Sequence, residues 1–162
     1  METLEISREL DGVVTKEATV VAMSGGVDSS VAAAMMTRSQ SNVIGITLKL
    51  YDEKKVAKSK TCCAGSDILD AKRIASTINI PHYVLDYESI FKENVIDPFI
   101  AEYKAGRTPI PCISCNEKVK FLDLINFARK IGASSLTTGH YIKKLKIRDE
   151  WGLYIPVDED RD

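Results

Sequence analysis

The residues best placed by type and spacing to do chemistry are those of SGGVDSS, Ser24 to Ser30. Adjacent glycines let a backbone come close to a ligand, and the run that follows reads as a helix, whose first N–H groups have no intrahelical acceptor. Such a terminus attracts phosphate. Ser24, Ser29 and Ser30 add hydroxyl donors, whereas Asp28 would repel bare phosphate and fits a Mg²⁺ partner or a helix cap better. The segment lacks the Gly-Lys-Ser/Thr ending of a Walker loop and the spacing of the dinucleotide fingerprint, so neither a GTPase-type cradle nor NAD binding is supported. A glycine turn with a serine cap would explain one glycine and one serine, but not all seven residues.

Thiols are the second candidate chemistry. The four cysteines form an adjacent pair, Cys62-Cys63, and a Cys112-x-x-Cys115 pair, a pattern unlike a small secreted disulfide framework. Cys115 stands where a helix is expected to start, so the helix dipole and nearby Lys118 and Lys120 would favour its thiolate. The competing reading, a small buried hydrophobe, is the usual fate of a cysteine outside a disulfide, but the proline-rich surroundings argue for exposure. Cys62 and Cys63 read as packing or loop residues near the site. All four thiols could instead hold an iron–sulfur cluster or metal, although adjacent cysteines chelate less readily than a second C-x-x-C. His82 reads as a structural residue near a sheet edge, while His140 follows Gly139 where ligand contact is conceivable.

The elements that must position these groups alternate. ATVVAM (residues 18–23) is a buried strand, followed by a helix from about Val27 to Arg38 and a strand from Asn42 to Leu50. Asp67 is expected to cap a helix through Ile78, and HYVLDY (His82 to Tyr87) to form a third strand. A helical region from Ser89 to Lys104 should be split by Pro98, and GRTPIPC should be a loop that cannot continue a helix. A further helix is expected from Asn116 to Ile131, a fourth strand from Ser134 to His140, and a hairpin turning at Asp149 to Gly152. The result is an α/β chain, with an open, mostly parallel sheet flanked by helices. In such a sheet ligands gather beyond the carboxyl ends of the strands, where SGGVDSS, LKLYD and TTGH all fall.

Composition sets outer limits. The chain has 162 residues, 44% hydrophobic and 28% charged, with a formal net charge of -1, so any polyanion must be met by local patches. Lysines gather at Lys54, Lys55, Lys58 and Lys60 and again at Lys143, Lys144, Lys146 and Arg148, which fits solvated loop and RNA phosphate contact equally. No stretch has the apolar length of a membrane span and METLEISREL lacks a signal-peptide core, so the expected compartment is the cytoplasm.

SGGVDSS resembles the PP-loop of the ATP pyrophosphatases, which cleave ATP between its α and β phosphates. Together with GITLKLYD, CCAGSDILDAKRIA, PHYVLD, NVIDPFIAEYKAGRTPIPCISCNEKVKF and TTGHY, it is similar to the amino-terminal half of the tRNA-specific 2-thiouridylase (MnmA/TrmU) family from about Thr19 to Asp162. The resemblance implies a PP-loop (adenine nucleotide alpha hydrolase-like) fold. It also implies an enzyme that adenylates C2 of the wobble uridine of tRNA and replaces the oxygen by sulfur from a cysteine persulfide. ATP and Mg²⁺ are the implied cofactors. The implied partners are tRNA and a sulfur-donor protein, either a cysteine desulfurase or a relay.

By motif, Ala22, Met23, Ser24, Gly25, Gly26, Val27, Asp28 and Ser29 would contact ATP, and Gly139 would close the pocket. Leu48 would sit beside the adenine, in place of the usual methionine. Ile110, Pro111 and Cys112 would approach the target base, Ile110 standing where an asparagine is usual. Cys115 matches the first catalytic cysteine, which implies disulfide formation in the cycle, and no metal ligands are implied. The family's persulfide-bearing cysteine lies downstream, so the chain is expected to be an amino-terminal portion. Its expected division is an extension (1–17), an ATP-binding domain (18–148) and the start of a tRNA-binding region (149–162).

Overall fold

A computed structural model describes residues 17–39, 42–51 and 65–155. The expectations for Lys54, Lys55, Lys58, Lys60, Cys62, Cys63, most of the N-terminal extension and the DEDRD end lie outside these residues.

Four parallel strands make the main sheet, β1 (Thr19–Ala22), β2 (Val43–Lys49), β3 (His82–Asp86) and β4 (Ser135–Thr137), in the order β3-β2-β1-β4. The central strands are apolar on both faces because both faces are covered. On one face Val20, Ile44, Ile46, Leu48 and Leu85 join a cluster with Phe91, Val95, Cys115, Val119, Leu124 and Phe127. On the other, Val21, Met23 and Val43 pack with Ala33, Ala71 and Ala75. That second face is covered by α1 (Val27–Ser39) and α2 (Gly65–Thr77). Ile44 and Leu85 are wholly buried, and each such side chain contributes about 1.5–3 kcal/mol relative to exposure.

The helices between β3 and β4 cover the first face. They comprise α3 (Glu88–Phe91), a π-helical segment Lys92–Ile96, α4 (Asp97–Lys104), α5 (Pro111–Ser114), a second π-helical segment Cys115–Asp123, and α6 (Leu124–Lys130). Pro98 does not split its helix: it lies in the first turn of α4, and the winding widens just before it. Proline cannot donate to the carbonyl four residues back, and a π turn absorbs that gap. GRTPIPC also differs from expectation, because α5 begins within it at Pro111, a position that proline suits since its missing N–H would be unsatisfied there anyway. Asp67 lies in the first turn of α2 rather than capping it, where its carboxylate still favours the dipole.

A separate hairpin pairs β5 (Lys143–Ile147) with β6 (Glu150–Tyr154). Its turn is Arg148–Asp149, with φ of 48° and 70°, the doubly positive signature of a tight hairpin turn. Gly152, expected in the turn, instead pairs with Leu145 inside the ladder. The basic residues here are exposed; Lys146 bonds Asp149, and the Lys144 ammonium lies 4.5 Å from the centre of the Trp151 ring. Among the described residues no helix is long and apolar enough to cross a membrane.

Candidate functional site

The strand order reverses beside β1. The chain leaves β1 through α1 toward β2, yet β4, on β1's other flank, is reached by helices on the opposite face. Loops that part to opposite faces open a crevice at the strand ends. A cavity of ≈ 230 Å³ lies there, with Ala22, Met23, Ser24, Asp28 and Ser29 on one side and Thr138, Gly139 and His140 beyond β4. Ile46, Leu48, Leu50 and Leu124 give it an apolar wall, and Lys120 a cationic one.

The turn after β1 is tied down by its own hydrogen bonds. The Met23 amide donates to the Ile46 carbonyl at 2.8 Å, and the Ser24 amide to Ser29 Oγ at 3.2 Å. Ser29 Oγ donates to the Gly26 carbonyl at 3.1 Å, and the Ser30 hydroxyl donates to the same oxygen at 2.7 Å. The serines thus brace the turn as well as offering donors. The amides of Gly25, Gly26, Val27 and Ser29 find no acceptor among the described residues, and these are the donors a phosphate would need. The set is narrower than the motif suggests, since Met23, Ser24 and Ser30 already donate.

Two glycines are required by their neighbours. Gly25 has φ +80°, and a Cβ there would strike the Asp67 carbonyl at the start of α2. A Cβ on Gly139 would lie 2.7 Å from the Ser29 amide nitrogen, so the end of β4 rests directly on the start of α1. Asp28 accepts a hydrogen bond from the Tyr141 hydroxyl at 2.7 Å. A single carboxylate beside these free amides is the kind of donor Mg²⁺ takes, usually one or two carboxylates together with phosphates.

His82 lies on edge strand β3 and supports the turn from behind. The Thr47 hydroxyl donates to the Met23 carbonyl at 2.7 Å, so Thr47 Oγ1 accepts from His82 Nε2 at 2.8 Å, which places a proton on Nε2. Burial, then the Lys72 charge, hold the His82 imidazole below its usual value. A histidine with a lowered folded pKa takes up protons more readily when unfolded. Its contribution to stability is therefore present above about pH 6.5 and lost as pH falls toward the lowered value. The thermal midpoint should fall between about pH 7 and about pH 5.5, with a shallower fall in His82→Gln; equal slopes would count against this linkage. His140, bonded through Nδ1 to Thr138 Oγ1 at 2.9 Å, is likewise lowered by burial and then by Lys120.

The structure brings Ala22, Met23, Ser24, Asp28, Ser29, Leu48 and Gly139 to one cavity, while Gly25 and Gly26 lie in the turn beside it without lining it and Val27 points outward with 76% of its surface exposed. Cys115 departs from the expectation of exposure. Cys115 is buried, within the apolar cluster that holds Leu48, Leu50 and Leu124, whereas Cys112 and Ile110 are exposed and Pro111 is half-buried. Cys115 is also not at a helix start: α5 precedes it by one turn, and Cys115 begins the π-helical segment. Cys112 and Cys115 are not joined in a disulfide, and no group of three or more metal-ligating side chains occurs among the described residues. Sequence reasoning missed Ile46, Leu50, Leu124 and Lys120 as cavity residues. Strand alternation with Leu48 flags Ile46 and Leu50, whereas Lys120 had no signal because its direction depends on the π winding.

Residues 17–162 match the family described as the tRNA methyl transferase HUP domain. Among curated proteins the chain is 51% identical over 160 residues to the tRNA-specific 2-thiouridylase MnmA of Zymomonas mobilis, covering 98% of this chain and 43% of that protein. It is 53% identical over 157 residues to the enzyme of the same name from Brucella suis, covering 96% and 39% respectively. The chain thus spans about two fifths of the length of these relatives. Among solved structures, the NH3-dependent NAD synthetase of Campylobacter jejuni aligns with TM-score 0.48 and 16% identity, over 82% of this chain and 55% of that one. The glycine turn, the strand reversal beside it and the match along nearly the whole sequence agree: the chain belongs to the tRNA methyl transferase HUP-domain family, with the MnmA-type 2-thiouridylases among its relatives.

Proposed function

We propose that this chain is the ATP-binding part of an enzyme that replaces the C2 oxygen of the tRNA wobble uridine by sulfur. The observation that carries the reading is the contact of Gly139 with the first turn of α1, which holds the amide-bearing turn at the mouth of a half-apolar cleft. ATP, when bound, supplies the adenylyl group that makes the C2 oxygen a leaving group. Gly25, Gly26 and Val27 would bind the pyrophosphate end through backbone amides, Ser24 and Ser29 would hold the turn, and Asp28 would take Mg²⁺. Leu48, with Ile46 and Leu50, would pack on the adenine.

Cys115 would act after sulfur reaches the base. Its thiolate attacks the donor cysteine's sulfur, the S–S bond of the persulfide breaks, and a disulfide forms between Cys115 and the donor cysteine. The electron pair stays on the sulfur bonded to C2. Two equivalents of an external thiol, or one dithiol, then reduce the disulfide through a mixed disulfide and leave as a disulfide themselves. Burial of Cys115 keeps the thiol from adventitious oxidants, and the exposed Ile110, Pro111 and Cys112 segment would meet the base. The sulfur-donor protein and a cytoplasmic location belong to the same proposal, as does the division at residues 17 and 148.

Cys115→Ser in the full-length protein should abolish 2-thiouridine in cellular tRNA, read by mass spectrometry of digested nucleosides, while ATP affinity stays within about threefold. Wild-type levels of 2-thiouridine in that variant would refute the role of Cys115. Unaltered tRNA in cells lacking the protein would refute the function.

A further inference from the structure

The nucleotide reading leaves a charge problem. A triphosphate carries several negative charges, yet SGGVDSS has no lysine or arginine and brings a carboxylate of its own. Of the residues lining the cavity, Lys120 alone is a lysine or arginine. It is half-buried, and among the described residues its side chain makes no hydrogen bond or ion pair. Other lysines do find carboxylates: Lys49 meets Glu88 at 2.6 Å, and Lys92 meets Asp97 at 2.7 Å. A half-buried lysine lining a cavity without a carboxylate partner is arranged for an anion that arrives from outside.

Its aim comes from the backbone. Lys120 stands five residues after Cys115 in the π-helical segment Cys115–Asp123, and the wider turn of i→i+5 hydrogen bonding brings residues five apart nearer to one side of the helix than an α-helix does. In an α-helix, with about 3.6 residues per turn, residues five apart point largely away from each other, and Lys120 would be turned from the side that buries Cys115.

We propose that Lys120 is a phosphate-binding residue of this cleft, gripping the nucleotide's polyphosphate from the wall opposite the glycine turn. This rests on the ATP reading above and extends it to a residue outside the turn. The same ammonium would then lie between the phosphates and the Cys115 segment, linking nucleotide occupancy to the arm that carries the thiol.

The test is calorimetric titration of the 162-residue chain and of its Lys120→Met and Lys120→Arg variants with Mg·ATP and with adenosine, at two salt concentrations. The expected result is an ATP affinity lowered at least about tenfold in Lys120→Met and within about threefold of wild type in Lys120→Arg. Adenosine affinity should be unchanged, and the salt dependence of ATP binding shallower, in Lys120→Met. Lys120→Met binding ATP like wild type, or losing adenosine as strongly as ATP, would overturn the assignment. If wild type itself ignored ATP, the nucleotide reading would fail first and this inference with it.

Discussion

Gly139→Val is expected to lower ATP affinity by at least about a hundredfold while leaving the circular dichroism spectrum of the chain unchanged, because displacing a binding group by about 1 Å can cost that much. A side chain at this position meets only backbone: the added Cβ would lie 2.7 Å from Ser29 N, 2.9 Å from Asp28 C and 3.0 Å from Ser29 Cα. No flexible side chain can yield, so the first turn of α1 must shift relative to β4. Those are the elements between which the phosphates would sit. Gly139→Ala should show the same effect in reduced form. ATP titration of the two variants decides the matter, and undiminished binding by both would mean that the contact does not shape the site.

The second large effect is expected at Gly25. Its φ of +80° costs a residue bearing a Cβ about 1–2 kcal/mol, and alanine would in addition press on the Asp67 carbonyl. Gly25→Ala should therefore lower the thermal midpoint by at least roughly 4 °C and weaken ATP binding, since α2 must retreat from the turn. Gly26→Ala is the internal comparison, because the nearest atom to its Cβ would be Ser24 Oγ at an ordinary 3.5 Å. Its stability should change by less than about 1 kcal/mol. Differential scanning calorimetry of the pair would contradict the argument if the two midpoints moved alike.

The sheet was legible because its strands are short apolar runs bounded by turn residues, and the helix after SGGVDSS was legible in extent, although its apolar residues Val31 and Met35 are exposed and its buried residues are Ser29 and Ala33. Most of the cleft followed from the same turn. The differences arise where a local signal competed with tertiary structure. Pro98 and Pro111 read as breakers, yet Pro111 opens a first turn where a missing N–H is tolerated, and Pro98 follows a π-helical segment that absorbs its missing bond. Cys115 read as an exposed helix-start thiol, but one turn of helix precedes it and the apolar cluster against the sheet buries it. The hairpin turn fell on Arg148–Asp149 rather than on the nearby glycine, a choice set by strand register. Tyr141 reaching Asp28 spans 113 positions of sequence, and no periodicity reports such a contact.

The widened coil at Cys115–Asp123 also fixes how this arm tolerates change in length. Its spare residue per turn acts as an angular offset between everything upstream, including Ile110 to Cys112, and the regular helix that anchors α6 to the sheet. Exchanging one side chain for another leaves that offset intact. Removing a single residue would tighten the coil and swing Cys115 and the Ile110–Cys112 segment around the helix axis together, while Leu124, Phe127 and Ala128 stayed seated. Length, rather than composition, is the quantity this stretch must hold constant.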